Sequence, residues 1–261
     1  MSLSKRFDLV IFDWAGTMVD HGCCAPVLAL VEAFANHGVS LTDAQARKDM
    51  GKAKADHVSA LLADAAVREA WAKAQGRLPT AADAAQLVME LGPLMRDQAA
   101  VVATLIEGAR EAVDTLRSEG LKIASSTGYT REMMEPVLAR AAQQGYVPDH
   151  LLCSGDTVQG RPSPLMIYRA CADLGVWPLS RVVKVDDAEA GVAEGRAAGC
   201  FTVGLAASGN GVGLSAAALA ALSETQRQAR IEASSRALYA AGANLVINSV
   251  ADLVFALRNL D

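Results

Sequence analysis

Short apolar runs recur along the chain, and most of them are separated by helical patterns. Five runs have the length of a buried strand: Leu9 to Phe12, Leu121 to Ala124, Val182 to Val185, Phe201 to Val203 and Leu245 to Ile247. Alternating strands and helices are typical of parallel sheets with crossover helices. The pattern therefore predicts an α/β fold with a Rossmann-like parallel sheet as its core.

The segment between the first and second runs has a different pattern. Residues 23–100 are rich in Ala, Leu, Glu and Lys, and apolar residues such as Val27, Leu30 and Phe34 recur at helical spacing. No convincing strand lies within it. Interruptions divide it into four or five helices, at residues 36–38, 50–51 and 77–80.

Two domains follow from this division. Residues 1–22 and 101–261 are expected to form the catalytic core, and residues 23–100 an inserted, all-helical cap domain. A second helical stretch, from Leu214 to Ala241, lies late in the core, where its many alanines indicate helix packing.

Composition narrows the class of protein. The 261 residues are 52% hydrophobic, which suits a well-buried core, and the net charge of −5 with no long basic run indicates no nucleic-acid or anionic-membrane partner. Residues 1–6 carry no apolar signal region and no segment reaches the roughly 20 apolar residues of a membrane span. A cytoplasmic protein is therefore expected. The five cysteines show no CxxC spacing and their number is odd, so most are expected to be reduced core residues.

The first apolar run ends in a carboxylate. Asp13 follows Phe12 directly, and Gly16 and Thr17 then turn the chain. Open α/β sheets bind ligands beyond the carboxyl ends of their strands, so Asp13 is placed for chemistry. A strand-end aspartate that only makes a turn is the alternative.

Three later segments extend Asp13 into a set of functional groups. Residues 125–130 supply hydroxyl groups after the second run, and Arg161 stands in a rigid turn beside Pro162. Asp186 and Asp187 end the third run and offer hard oxygen ligands for Mg²⁺. Helix-capping hydroxyls and surface arginines are common, so the order acid, hydroxyl, cation, acid carries the signal rather than any one member.

In this order the four motifs resemble the haloacid dehalogenase superfamily. Within it, the chain is similar to the phosphonoacetaldehyde hydrolase, or phosphonatase, family. The resemblance covers nearly the whole chain and rests on five segments: Phe12–Thr17, Met50–His57, Thr127–Met134, Gly160–Pro162 and Glu194–Gly199. It implies hydrolysis of phosphonoacetaldehyde to acetaldehyde and phosphate in 2-aminoethylphosphonate degradation, with Mg²⁺ as cofactor and a homodimer formed through the cap.

The resemblance also implies roles for individual residues. Asp13 would attack phosphorus, and Lys54 would form an imine with the aldehyde. Mg²⁺ would be held by Asp13, the Ala15 carbonyl and Asp187. The substrate-binding residues would be Thr127 and Arg161 at the phosphonyl oxygens, His57 for proton transfers, Met50 and Cys23 near the aldehyde carbon, and Tyr129.

Ala15 agrees with this chemistry. Phosphatases of the superfamily carry an aspartate at this position, which protonates an alkoxide leaving group, and here a phosphate ester would lose that acid. Cleavage of a carbon–phosphorus bond instead releases a carbanion, which a protonated imine on a lysine delocalises as an enamine.

Two lysines compete for the imine. In a helix, Lys52 and Lys54 would point about 200° apart, so that only one faces the site, and the resemblance selects Lys54. His57 lies on the same helical face, one turn later. Packing roles remain open for His57, Met50 and Cys23, since all three residue types are common in helical cores.

One position departs from the superfamily pattern. Many members carry a further acidic residue four positions after the metal-binding aspartate, and this chain has Gly191 there. Metal affinity could be weaker as a result, and Asp186 is either a supporting group or a turn residue. A phosphomonoesterase or phosphomutase on the same core, and a binding protein that has lost activity, are the alternative functions.

Overall fold

The computed structural model describes residues 3–260, except for the side chains of residues 99–102. Its described part contains a six-stranded, wholly parallel sheet in the order β3-β2-β1-β4-β5-β6. The strands are β1 (Leu9–Phe12), β2 (Lys122–Ser126), β3 (His150–Leu152), β4 (Val182–Asp186), β5 (Phe201–Leu205) and β6 (Leu245–Ile247).

The sheet places four chain segments side by side. β1 is buried along its whole length and pairs with β2 on one side and β4 on the other. The strand order reverses direction at β1, and this is where doubly wound sheets open a crevice beyond their carboxyl ends. The residues that follow these three strands therefore meet there.

Helices flank the sheet and fill the segment between β1 and β2. That segment holds α1 (Cys24–Asn36), α2 (Asp43–Arg47), α3 (Lys54–Ala63), α4 (Ala65–Gln75) and α5 (Ala81–Val102). The later helices are α6 (Ala109–Ser118), α7 (Arg131–Gln143), α8 (Leu165–Leu174), α9 (Glu189–Ala198), α10 (Ala216–Ala220), α11 (Glu224–Ala241) and α12 (Leu253–Arg258). Single 3₁₀ turns lie at Leu3–Lys5, Leu179–Arg181 and Val250–Asp252.

The predicted parallel sheet and the strand-free helical segment are both confirmed. One strand was not predicted: β3 is only three residues long and lies at the sheet edge, where a short apolar run gives little signal. The predicted stretch from Leu214 to Ala241 is two helices rather than one. It breaks before Ser223, whose side chain caps the first turn of α11.

Residues 24–102, hereafter the helical insert, leave and re-enter the core through two paired connections. Val19 forms an antiparallel bridge with Leu105, and the Ile106 N–H donates to the Met18 carbonyl at 2.9 Å. Buried apolar residues run without a break from the sheet into the insert. The division into two domains at residues 22 and 100 stays a prediction, although α5 continues to Val102.

No helix of the described chain combines the length and the apolar character needed to cross a membrane.

Candidate active site

Asp13 stands at the carboxyl end of β1, and its backbone N–H donates to the Val185 carbonyl on β4 at 3.0 Å. Its carboxylate is buried and accepts a hydrogen bond of 2.7 Å from Nη1 of Arg161. Burial, and then the charge of Asp186, raise the pKa of Asp13 to about 6, although the charges of Arg161 and Lys184 oppose the shift. A bound cation would favour the ionised form.

Asp187 follows β4 and is held by two donors from other loops. The Thr17 hydroxyl donates to Oδ1 at 2.9 Å, and the Asn210 backbone N–H donates to Oδ2 at 2.8 Å. Gly16, with φ of +83°, makes the close approach possible, because a Cβ there would lie 2.2 Å from Asp187 Oδ2. The turn after β1 therefore fixes the carboxylate that follows β4.

The carboxylates of Asp13, Asp186 and Asp187 each offer an oxygen within 4.8 Å of the others. Burial, and then the charges of the two neighbouring aspartates, raise the pKa of Asp187 well above its ordinary value. Hard carboxylate oxygens brought this close suit a divalent cation, which relieves their repulsion. The donor set therefore fits the metal that the sequence predicted.

Arg161 lies at the centre of a buried ion network. Besides Asp13, its Nε donates to Glu194 at 3.0 Å, and its Nη2 donates to the Ser126 carbonyl and hydroxyl at 2.5 and 2.9 Å. Burial opposes the charge of Arg161, but Asp186, Asp13 and Glu194 outweigh it and raise the pKa. The guanidinium is therefore a permanent cation directed at Asp13.

Thr127 completes this side of the site. It follows β2 directly, and its hydroxyl accepts the Tyr129 N–H at 3.2 Å while remaining buried. Gly128 is pressed against the insert, since a Cβ there would lie 2.5 Å from the Lys52 carbonyl. The loop after β2 therefore contacts the turn that leads into α3.

Lys54 is the first residue of α3, and its side chain is only 2% exposed. Nζ lies 3.9 Å from the Met50 sulfur and 5.1 Å from the centre of the Tyr129 ring, and no ion pair in the described chain includes it. Burial is the largest cause that lowers the pKa of Lys54, and Arg161 adds to it, while Cys23 and Asp13 oppose it. The start of a helix also disfavours a cation.

Cys23 and Tyr129 surround this amine as neutral groups. Burial raises the pKa of both well above the ordinary values, with the charges of nearby carboxylates adding to the effect. The thiol is therefore not a nucleophile near neutral pH, since the thiolate is the reactive form.

His57 is buried one turn beyond Lys54, as its spacing predicted, yet it does not line the cavity. Burial, and then the charge of Lys54, lower its pKa to about 3, with only small opposition from Asp49 and the Ala46 backbone. Neither ring nitrogen has a hydrogen-bond partner of ordinary geometry among the described residues. The imidazole is neutral.

Lys52 does not lie in the helix, so the argument from helical angles does not apply to it. It occupies the turn before α3, its side chain is 36% exposed, and its ammonium is 2.5 Å from Asp49. Although Lys52 borders the cavity, its ammonium is paired with Asp49 rather than directed at the sheet-edge carboxylates.

One narrow cavity joins the two groups of residues, with a volume of about 20 Å³, close to that of a single water molecule. Every predicted site residue except His57 lines it: Asp13, Ala15, Cys23, Met50, Lys54, Thr127, Tyr129, Arg161 and Asp187. The cavity thus brings the carboxylates at the sheet edge and a desolvated amine from the insert into one space.

Comparison with known proteins identifies the family. Residues 7–199 match the haloacid dehalogenase-like hydrolase family. A phosphonoacetaldehyde hydrolase from Paraburkholderia phytofirmans is 44% identical over 96% of this chain and 94% of that protein. One from Bacillus cytotoxicus is 40% identical over 95% of this chain and 94% of its own length.

The chain belongs to the phosphonoacetaldehyde hydrolase family of the haloacid dehalogenase superfamily. The crystal structure of a phosphonoacetaldehyde hydrolase-like protein from Oleispira antarctica superposes with a TM-score of 0.95 at 37% identity, covering 97% of this chain and 92% of that chain. The family resemblance inferred from the motifs and the Rossmann-like core are confirmed, and the chain is a hydrolase.

Several supporting residues of this hydrolase escaped the sequence analysis. Lys184 and Glu194 are fully buried, and the Lys184 ammonium donates to the Ser126 hydroxyl at 3.0 Å. The charged side chain within the apolar run of β4 was the available signal for Lys184. Nothing in the local sequence marks Asn210, which acts through its backbone.

Proposed function

We propose that this protein hydrolyses phosphonoacetaldehyde to acetaldehyde and phosphate. The observation that carries the proposal is the buried amine of Lys54, which contacts the Met50 sulfur and the Tyr129 ring and lines the same cavity as Asp13 and Arg161. The names of the relatives supply the substrate. Degradation of 2-aminoethylphosphonate is the pathway proposed for it.

The first step is imine formation at Lys54. A neutral amine attacks the aldehyde carbon, and loss of water leaves a protonated imine. Burial lowers the pKa of Lys54 and so favours the neutral amine that this step requires. His57 is neutral and lies one turn after Lys54 in α3, and its role in the proton transfers is part of the proposal.

The second step transfers the phosphonyl group. The Asp13 carboxylate attacks phosphorus as the carbon–phosphorus bond breaks, and the bonding electron pair moves into the imine to give an enamine. Arg161 and Thr127 bind the phosphonyl oxygens, where negative charge develops. Water then releases phosphate from the aspartyl phosphate, while protonation and hydrolysis of the enamine give acetaldehyde and free Lys54.

Mg²⁺ fits the aspartate cluster, where Asp13, Asp187 and the Ala15 carbonyl would hold it. When bound, it supplies charge neutralisation that lets an anionic substrate approach the carboxylates. Ala15 contributes no acid to the cavity, in keeping with a carbon leaving group rather than an alkoxide.

Acetaldehyde release tests the proposal. Phosphonoacetaldehyde is supplied with and without Mg²⁺, and an alcohol dehydrogenase consumes reduced nicotinamide cofactor as acetaldehyde appears. We expect metal-dependent release that is lost in Lys54→Arg, whose guanidinium keeps its charge but forms no imine. Lys52→Arg is the matched control and should retain activity.

Borohydride identifies the lysine directly. Reduction of the protein with substrate should attach the carbon chain to Lys54 in a peptide map of the parent protein and of Lys52→Arg. Turnover by Lys54→Arg, or rapid Mg²⁺-dependent turnover of sugar phosphates by the parent protein, would contradict the mechanism.

Two further predictions concern the whole protein. A homodimer through the helical insert is proposed, and Leu28 on α1 is an exposed apolar residue that such an interface would cover. Cytoplasmic location also stays a prediction.

A further inference from the structure

Gly191 lies inside α9, directly against the carboxylate of Asp186. A Cβ atom at residue 191 would lie 1.9 Å from Asp186 Oδ2 and 2.1 Å from its Cγ. Asp186 is fully buried, so its carboxylate has no free space into which to move. The two positions share one space, which accepts a side chain from β4 or from α9 but not from both.

Helix preference does not explain this glycine. Gly191 has no left-handed backbone conformation, and alanine is a better helix former than glycine. What the position requires is the absence of a Cβ. The missing acidic residue at 191 is therefore linked to the presence of an acidic residue at 186.

Asp186 is placed between the two buried cations. Its Oδ2 lies 2.9 Å from Lys184 Nζ and 3.4 Å from Arg161 Nη1, and its Oδ1 accepts the Ala188 N–H at 3.0 Å. The same Nη1 atom donates to Asp13. The carboxylate thus fixes the side of the guanidinium that turns toward the nucleophile.

We propose that Asp186 is a positioning residue that holds Arg161 for the phosphonyl group, and that Gly191 provides the space its carboxylate requires. The proposal rests on the proposed function only in taking Arg161 as the group that binds the phosphonyl oxygens. Without Asp186, the guanidinium is free to turn toward Glu194 and the Ser126 carbonyl, which it already contacts.

Inorganic phosphate is the probe, because it occupies the phosphonyl position and needs no aldehyde chemistry. Its dissociation constant is measured by isothermal titration calorimetry at saturating Mg²⁺ for the parent protein and two variants. Asp186→Asn removes the charge and keeps the shape, whereas Gly191→Ala keeps the charge and displaces the carboxylate. We expect both to weaken phosphate binding by about tenfold.

If Asp186 acted only as a nearby negative charge, the opposite pattern of phosphate binding would be expected. Removing a negative charge beside an anion site would tighten phosphate binding in Asp186→Asn, and Gly191→Ala would have little effect. That pattern would overturn the proposal. Thermal unfolding of each variant identifies a loss that comes from misfolding.

Exchange of the two residues provides the second test and does not depend on Gly191→Ala folding. In Asp186→Gly/Gly191→Asp, the carboxylate enters the same space from α9. We expect phosphate binding within about threefold of the parent protein, whereas Asp186→Gly alone remains weak. A double variant no better than Asp186→Gly would overturn the proposal.

The result of the phosphate-binding test can be told apart from failure of the proposed function. Borohydride labelling of Lys54 with phosphonoacetaldehyde reports the imine and does not require Arg161. Failure of labelling in the parent protein, with the phosphate pattern intact, would reject the proposed function and leave the role of Asp186 standing.

Discussion

The cavity has two walls that differ in the partners they give to ionisable side chains. The sheet wall, formed by Asp13, Thr127, Arg161 and Asp187, places opposite charges in direct contact, as in the 2.7 Å hydrogen bond from Arg161 to Asp13. The insert wall, formed by Met50 and Lys54 with His57 buried behind them, gives its basic groups apolar or soft neighbours, and burial lowers their pKa values.

This difference corresponds to the two halves of the proposed reaction. Phosphonyl transfer needs fixed charges around an anion, and partners from several strands supply them. Imine formation needs an uncharged amine, and burial, which lowers the pKa of Lys54, favours that form. One fold can serve both because residues of the sheet edge and of the insert line the same cavity.

The largest loss of kcat is expected from a substitution in the sheet wall. Asp13→Asn removes the nucleophile and should lower kcat by about 10⁴-fold. The amine is untouched, so borohydride should still label Lys54 in this variant, whereas Lys54→Arg should lose both turnover and labelling. Loss of labelling in correctly folded Asp13→Asn would show that the two walls do not act separately.

A carboxylate placed in the insert wall should give Lys54 an anionic neighbour and so oppose the lowering of its pKa. Met50→Glu puts an anion close to Nζ, which lies 3.9 Å from the Met50 sulfur, and so raises the pKa of Lys54. Because only the neutral amine attacks, the acid limb of the rate profile should move to higher pH, and kcat/KM near neutral pH should fall by about tenfold or more. Met50→Gln, equally polar but uncharged, should leave the limb in place.

Because the pKa of His57 is lowered in the folded protein, the free energy of unfolding should depend on pH. Its folded-state pKa of about 3 lies below the unfolded value near 6.5, so its contribution is present above about pH 6.5 and is lost as pH falls. Between about pH 6.5 and pH 5 the loss should be about 2 kcal/mol in the free energy of unfolding. Urea titrations at both pH values should show a smaller difference in His57→Gln, and equal differences would contradict a buried, neutral imidazole.

The smallest change in kcat is expected from substitution of Lys52. Its ammonium is half-exposed and paired with Asp49, and surface ion pairs contribute at most about 1 kcal/mol. Lys52→Gln should change kcat by less than about twofold and leave labelling of Lys54 intact. A large loss of kcat would assign Lys52 a role in the chemistry.

Features encoded in short segments could be read from the sequence. Five of the six strands, the helical insert and the aspartates after β1 and β4 were predicted, because a buried strand and the polar residue that ends it are neighbours in the chain. β3 and the break before α11 were missed. The first is too short for a periodic signal, and the second depends on one capping serine, Ser223.

Lys54 shows what the sequence analysis could predict about the site and what it could not. Its selection over Lys52 rested on a family resemblance, and the argument from helical angles failed because Lys52 precedes the helix. The burial of Lys54, and its lack of an ion pair among the described residues, depend on how α3 packs over the sheet edge, which no local pattern specifies.

The sequence by itself determined the order of strands and helices, the set of chemical groups and the family. The tertiary structure alone decided which groups share a space: Thr17 and Asn210 at Asp187, Glu194 and Lys184 around Arg161, and Asp186 against Gly191. Local structure depends on neighbouring residues, whereas pKa values and steric exclusion depend on distances between segments far apart in the chain. Those distances exist only once the chain has folded.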